Sequence, residues 1–166
     1  MRHIISILLQ NEAGALARVA GMFSSRGYNI DSLSVAATHD PTVSRLSLVT
    51  AGSDQVIHQI IQQTRKLVDV VEIVNLSSLD HLECELLMLK VEVGNGAARE
   101  VVECVRRHRG QILDETENTR MLQLSGTGAE IDAFIGEIAG IARILELVRS
   151  GVAAMARGHQ VLALPN

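Results

Sequence analysis

The residues best suited to chemistry form one run near the start, Asn11-Glu12-Ala13-Gly14-Ala15-Leu16, joined further on by Gly27-Tyr28-Asn29-Ile30. Asn11 is placed to cap the following helix or turn the chain into it. Gly14 removes the side chain that would block close approach to the backbone there. Free N–H groups at a helix start face the positive end of its dipole, a seat for a small carboxylate. Asn29 carries both an amide donor and an acceptor, and so can meet an ammonium and a carboxylate at once. Leu16 and Ile30 suit an aliphatic ligand. The plainer alternative is that Gly14 packs against a sheet and Asn11 is only a cap.

Other constellations are weaker. Cys104 and His108 stand four apart on an expected helix, and His81-x-x-Cys84 has a spacing that some zinc sites use. The two pairs together match no standard motif, so a half-buried cysteine and solvent-facing histidines are expected, with no metal. Gly94-Asn95-Gly96 follows a strand and opens a helix, but Arg99 stands where a dinucleotide fingerprint needs a third glycine. A tight turn is expected instead. Glu83 and Glu85 share one face of a strand, as do Asp114 and Thr116, and both pairs read as solvated edges. No phosphate loop, nucleophile elbow or His-Glu-x-x-His pair occurs.

The elements that must position these residues repeat. The chain has 166 residues. Ile4–Leu9 reads as a strand, and Leu16, Val19, Ala20 and Phe23 form the stripe of an amphipathic helix that ends at Arg26-Gly27. Strands follow through Ile30, Leu33 and Val35 and through Leu46, Leu48 and Thr50, separated by a turn at Pro41. Ser53 and Asp54 open a second helix, and Val68–Leu76 is a last strand. The second half runs alike, with strands at Leu86–Val93, Ile112-Leu113, Leu122–Leu124 and Ile144–Val148. Its helices are marked by Val101, Val102 and Val105 and by Ile131, Phe134, Ile135 and Ile138, and Gly110 is expected to end the first of them as Gly27 does. Arg26-Gly27 aligns with Arg109-Gly110, and Val71–Val74 with Leu145–Val148. The first copy is the longer, and the excess is expected in its second strand and hairpin.

This order predicts an α+β chain of two consecutive ferredoxin-like βαββαβ modules, with antiparallel sheets and helices on one face. The expected boundaries are 4–78, 79–158 and a tail at 159–166. The second strand of the first module lies at a sheet edge, and a long apolar edge invites pairing with another chain. Small modules bury little core alone. A homodimer joined through edge strands is therefore expected.

Composition excludes several classes. Fifteen Lys and Arg against nineteen Asp and Glu give a net charge of −4, the wrong sign for a phosphate-backbone binder. Phe23, Tyr28 and Phe134 are the whole aromatic complement, too few for base-stacking platforms. No apolar run is long enough for a membrane helix, and two cysteines make no disulfide framework. A cytoplasmic protein that binds neither nucleic acid nor membrane is expected.

Asn11-x-x-Gly14-x-Leu16, with Ser25-Arg26-Gly27-Tyr28-Asn29-Ile30-Asp31-Ser32-Leu33, resembles the ACT domain of the acetolactate synthase small-subunit family. Ala36–Arg45, Lys66–Val70 and Ala142–Gly151 extend the resemblance over nearly the whole chain. It implies a non-catalytic regulatory subunit of a thiamine-diphosphate enzyme that condenses pyruvate into acetolactate. The large catalytic subunit would be its partner, and thiamine diphosphate, Mg and FAD are expected there, with no cofactor on this chain. L-Valine is the implied feedback effector. Asn11, Ala13, Gly14, Ala15 and Leu16 of one chain would bind it, completed by Asn29 and Ile30 of the paired chain. The alternative is an amino-acid-responsive transcriptional regulator with a similar sensor fold, although both halves are used up as modules and leave no helix-turn-helix.

Overall fold

The computed structural model describes residues 1–94 and 96–164. It falls into two compact units, one of residues 1–82 and 152–166 and one of residues 83–151.

The first unit contains β1 (Arg2–Gln10), α1 (Ala15–Ser25), β2 (Ser32–Ala37), β3 (Val43–Ala51), α2 (Asp54–Thr64) and β4 (Val70–Asn75). The strands form an antiparallel sheet in the order β2-β3-β1-β4. β1 meets β3 in continuous register from Arg2↔Ala51 to Gln10↔Val43. Strand periodicity turns Ile5, Ile7, Leu9, Leu46, Leu48 and Ile73 to one face, where they bury against Val19, Phe23, Ile57 and Ile60 of the helices. The Ser53 side chain accepts a hydrogen bond from the Val56 N–H and so opens α2 as its residue type predicts.

The stripe on α1 differs from the sequence reading. Its buried residues are Ala15, Val19, Met22 and Phe23, while Leu16 is left 37% exposed. The helix begins at Ala15, and the 3.6-residue period turns Leu16 away from the core.

The second unit holds most of β5 (His81–Glu92), with α3 (Ala98–Arg107), β6 (Gln111–Glu115), β7 (Thr119–Gly126), α4 (Gly128–Ile141) and β8 (Arg143–Arg149). Its path β6-β7-β5-β8 repeats the first unit's topology. Leu87, Leu89 and Val91 pack with Leu122 and Leu124 against Val101, Val105, Ile131, Phe134 and Ile138. α4 starts on a full capping box: Thr127 accepts from the Glu130 N–H, and Glu130 accepts from the Thr127 N–H. Both helices of each unit cover one face of its sheet, as the element order predicts.

Three expectations change. Gly110 does not end α3 as Gly27 ends α1: Arg109 takes the positive φ of 59°, where the first unit has Gly27 at 70°. Gly110 is needed for space, since a Cβ there would stand 2.9 Å from the Gln123 carbonyl oxygen. The extra length of the first copy lies only partly in its second strand and hairpin: β2 has six residues to five in β6, and the turn at 38–42 is longer than that at 116–118. Much of it lies in the connections at 28–31 and 65–69. Finally, the chain returns to the first unit through β9 (Ala153–Ala156), where the sequence reading carried the second module to 158 and left 159–166 as a tail. The reason is apolar: Val152 and Ala154 bury against Ile4, Val49 and Leu76 on the sheet face that α1 and α2 leave open. Of the tail, Pro165 and Asn166 lie outside the described residues, as does Asn95 of the expected Gly94–Gly96 turn.

Candidate functional site

α1 begins without a side-chain cap. Gly14 holds its N-cap position at φ 87°, a left-handed conformation that favours glycine. The first N–H groups of a helix have no partner within it; here the Ala15 N–H donates to the Glu12 carbonyl at 3.2 Å, and glycine at the N-cap offers the others no side-chain acceptor. Asn11 does something other than cap. Its Nδ2 donates to the Pro41 carbonyl at 2.9 Å, and its Oδ1 accepts from Ser44 Oγ at 3.1 Å. It thus fastens the end of β1 to the β2–β3 hairpin, which the Asn11 N–H also reaches through the Thr42 carbonyl.

These contacts leave a cavity of 310 Å³ between the start of α1 and the edge strand. Asn11, Glu12, Ala15 and Leu16 line it with Val35 and Ser44. A helix start without a side-chain cap, an amide, a carboxylate and aliphatic side chains therefore share one concavity. The first two suit a carboxylate ligand and the third an ammonium. Of the residues the sequence singled out, Asn11, Ala15 and Leu16 line this cavity, and Gly14 sets the helix start beside it.

Asn29 and Ile30 lie elsewhere in the chain, at the opposite end of β2. The Asn29 carbonyl accepts from Thr50 Oγ1 at 2.6 Å, and its Nδ2 donates to Asp31 Oδ1 at 2.6 Å. Ile30 packs on the helix-covered core rather than starting the strand, which opens at Ser32.

Sequence reasoning missed Arg18 and Asp69. Arg18 pairs with the buried Asp69 carboxylate through Nε and, at 2.7 Å, through Nη2. The pair holds the Asp69 carboxyl below the usual range. Arg18 also lies against the helix start, since a Cβ on Gly14 would lie 3.0 Å from Arg18 Nη1. No spacing rule links a helix residue to a loop residue 51 positions on.

The other candidates resolve differently. Cys104 and His108 do come together, but with Glu137 rather than with His81 and Cys84, their ligand atoms within 4.8 Å of one another. His108 Nε2 lies 2.7 Å from Glu137, which Arg107 also engages. Cys104 is fully buried, and burial pushes its thiol up, away from the thiolate a metal needs. The geometry is that of a contact holding α3 to α4. His81 Nδ1 lies 2.9 Å from the Leu79 carbonyl oxygen, and Cys84 is exposed. Glu85 is not a solvated edge residue: it is buried and paired at both oxygens with Arg149, at 2.9 and 2.6 Å.

The fold and site define an ACT-type regulatory domain followed by a second module of the same plan. Residues 5–72 match the AHAS small subunit-like ACT domain, and residues 84–158 match the small subunit of acetolactate synthase. The chain is 44% identical over 162 residues to the acetolactate synthase isozyme 3 small subunit of Escherichia coli, spanning 98% of this chain and 99% of that one. It is 45% identical over 160 residues to the acetolactate synthase small subunit of Haemophilus influenzae, spanning 96% and 98%. The crystal structure of the small subunit from Thermotoga maritima superposes with a TM-score of 0.87 at 31% identity, covering 96% of this chain and 99% of that one. This chain belongs to the acetolactate synthase small subunits, the regulatory, non-catalytic subunits of that enzyme. Membership displaces the transcriptional-regulator alternative. Among the described residues, no helix is long and apolar enough to cross a membrane.

Proposed function

We propose that this chain activates a large acetolactate synthase subunit and confers feedback inhibition by L-valine on it. The large subunit, with its thiamine diphosphate, Mg and FAD, converts two pyruvates to 2-acetolactate and CO2. The observation that carries the valine reading is the layout of β2. It is an edge strand with Leu33 and Val35 exposed. The pair Ala37↔Ser44 marks the Asn11 end and Ser32↔Val49 the Asn29 end. At about 3.3 Å per residue these ends stand roughly 17 Å apart in one chain. Antiparallel pairing of two β2 strands brings Asn29 and Ile30 of one chain to the Asn11–Leu16 segment of its partner. A complete seat then exists only in the dimer, so valine favours the paired state. The coupling to the large subunit is of the usual allosteric size, about 1–3 kcal/mol.

The test is to mix this chain with the large subunit and follow acetolactate formation against L-valine. The wild type raises the rate and valine lowers it. Gly14→Asp places a carboxylate at the helix start and a Cβ where φ disfavours one, so the inhibition constant rises by roughly tenfold or more. Full valine inhibition in Gly14→Asp would contradict the assignment.

A further inference from the structure

The face of the first sheet opposite its helices carries a second cavity, of 460 Å³, closed by β9 and the residues after it. Val74, Leu76, Leu79, Met155 and Leu162 give it an aliphatic wall, and the Arg45 side chain enters from β3. Among the described residues it shares no lining residue with the cavity at the start of α1. Arg45 Nε donates to Ser6 Oγ at 3.0 Å and Nη2 to the Ala154 carbonyl at 2.9 Å. Both acceptors are neutral. Among the described residues Arg45 forms no ion pair, and burial lowers its affinity for a proton. A half-buried guanidinium without a counter-charge is costly to keep, and a carboxylate meeting its remaining N–H groups relieves that cost.

We infer that this cavity binds an aliphatic monocarboxylate that lacks an amine, its carboxylate on Arg45 and its tail between Leu76, Leu79 and Met155. The volume is that of a small-molecule site. Among the described residues no acidic side chain lines it, so the ammonium of an amino acid would be buried there unpaired. This separates its ligand class from that of the α1 cavity, where Glu12 is present. Branched 2-oxo acids and short fatty acids share the required chemistry.

The experiment is calorimetric titration of the full chain with 4-methyl-2-oxopentanoate, with hexanoate, and with L-leucine, which keeps the branched skeleton but carries an amine. It is repeated on Gly14→Asp, so that binding at the start of α1 does not contribute. Saturable binding of the oxo acid in both proteins, without L-leucine binding in Gly14→Asp, is the expected result. Equal binding of hexanoate marks a site for aliphatic carboxylates at large, and weaker binding marks one selective for 2-oxo acids; either supports the inference. Arg45→Gln weakens the oxo acid by roughly tenfold or more, and Arg45→Lys restores part of the loss. Met155→Trp fills the cavity from its exposed wall, leaves the guanidinium in place and also removes binding. Absence of saturation in the wild type, unchanged affinity in a folded Arg45→Gln, undiminished binding in Met155→Trp, or equal binding of L-leucine in Gly14→Asp would each overturn the inference.

Discussion

The central strands of the two modules have the same place in the same topology but different surroundings. β1 is buried at all seven positions between its ends, on both faces. β5 alternates from Glu85 onward, with Leu87, Leu89 and Val91 buried and Leu86 and Met88 exposed. The difference at β1 traces in part to β9, whose residues cover Ile4 and Val49. Their helix starts differ as well. α1 opens on Gly14 beside a cavity that reaches the edge strand. The cavity at the start of α3 is lined by Glu92, Ala97 and Arg143, and Glu92 and Arg143 pair at 3.2 Å. One module sets its uncapped helix start against an edge strand and aliphatic side chains, and in the other an equally uncapped start faces a cavity of 480 Å³ flanked by an ion pair. A duplicated fold need not duplicate a site.

The largest expected effect tests whether the two cores are separate. Phe23 and Phe134 are each essentially fully buried, in clusters that share no residue. Replacing either by Ala costs about 3–5 kcal/mol. By hydrogen exchange, Phe23→Ala speeds the amides of β1 and β3 more than those of β7, and Phe134→Ala does the reverse. Uniform acceleration by both variants would erase the distinction between the units.

The role of β9 is sharpened by Val152→Asp, which sets a charge against Ile4, Val49 and Leu76. It costs about 2 kcal/mol or more, because the carboxylate gains no partner there. Denaturant unfolding measures the loss, and exchange locates it in the first sheet. Loss confined to β5 and β7 would contradict the assignment of the C-terminal segment.

Much of this arrangement was legible in the sequence. Period-two apolar runs and the helical stripes gave both modules, since strand and helix patterning are local. β9 was missed because Ala153–Ala156 is short and carries small residues, with no periodicity of its own to read. On α1 the stripe holds at Val19 and Phe23, but Ala15 and Met22 are buried in place of Leu16 and Ala20, because the larger apolar residue at the helix start is the one the period turns outward. Asn11 and Gly14 stood out by type and spacing. Arg18 with Asp69 and Arg45 in its cavity did not, since a charged residue in an otherwise apolar strand reads as a solvated one until its surroundings are known. Asn29 sits away from Asn11 for a topological reason: β2 separates them within one chain.

The smallest effect concerns acid. Arg18 holds the Asp69 carboxyl below its ordinary value in the folded chain, so the pair stabilises fully above the unfolded value near 4 and less as pH falls through the folded one. Glu137 is lowered in the second unit, chiefly by its hydrogen bond to His108. Thermal melts from pH 6 to pH 3 therefore show a steeper acid loss in the wild type than in Asp69→Asn. Parallel curves would show that the Arg18 pair contributes nothing.

The central claim is that the effector seat is completed by a second chain across β2. Its direct test is calorimetric titration with L-valine of the wild type and of Leu33→Lys, with the mass of each measured by light scattering. A lysine on the exposed edge opposes pairing of two β2 strands. The account predicts a dimeric wild type that binds roughly one valine per chain, each seat using residues of both chains, and a monomeric Leu33→Lys that binds none. Valine binding of unchanged affinity to monomeric Leu33→Lys would contradict it.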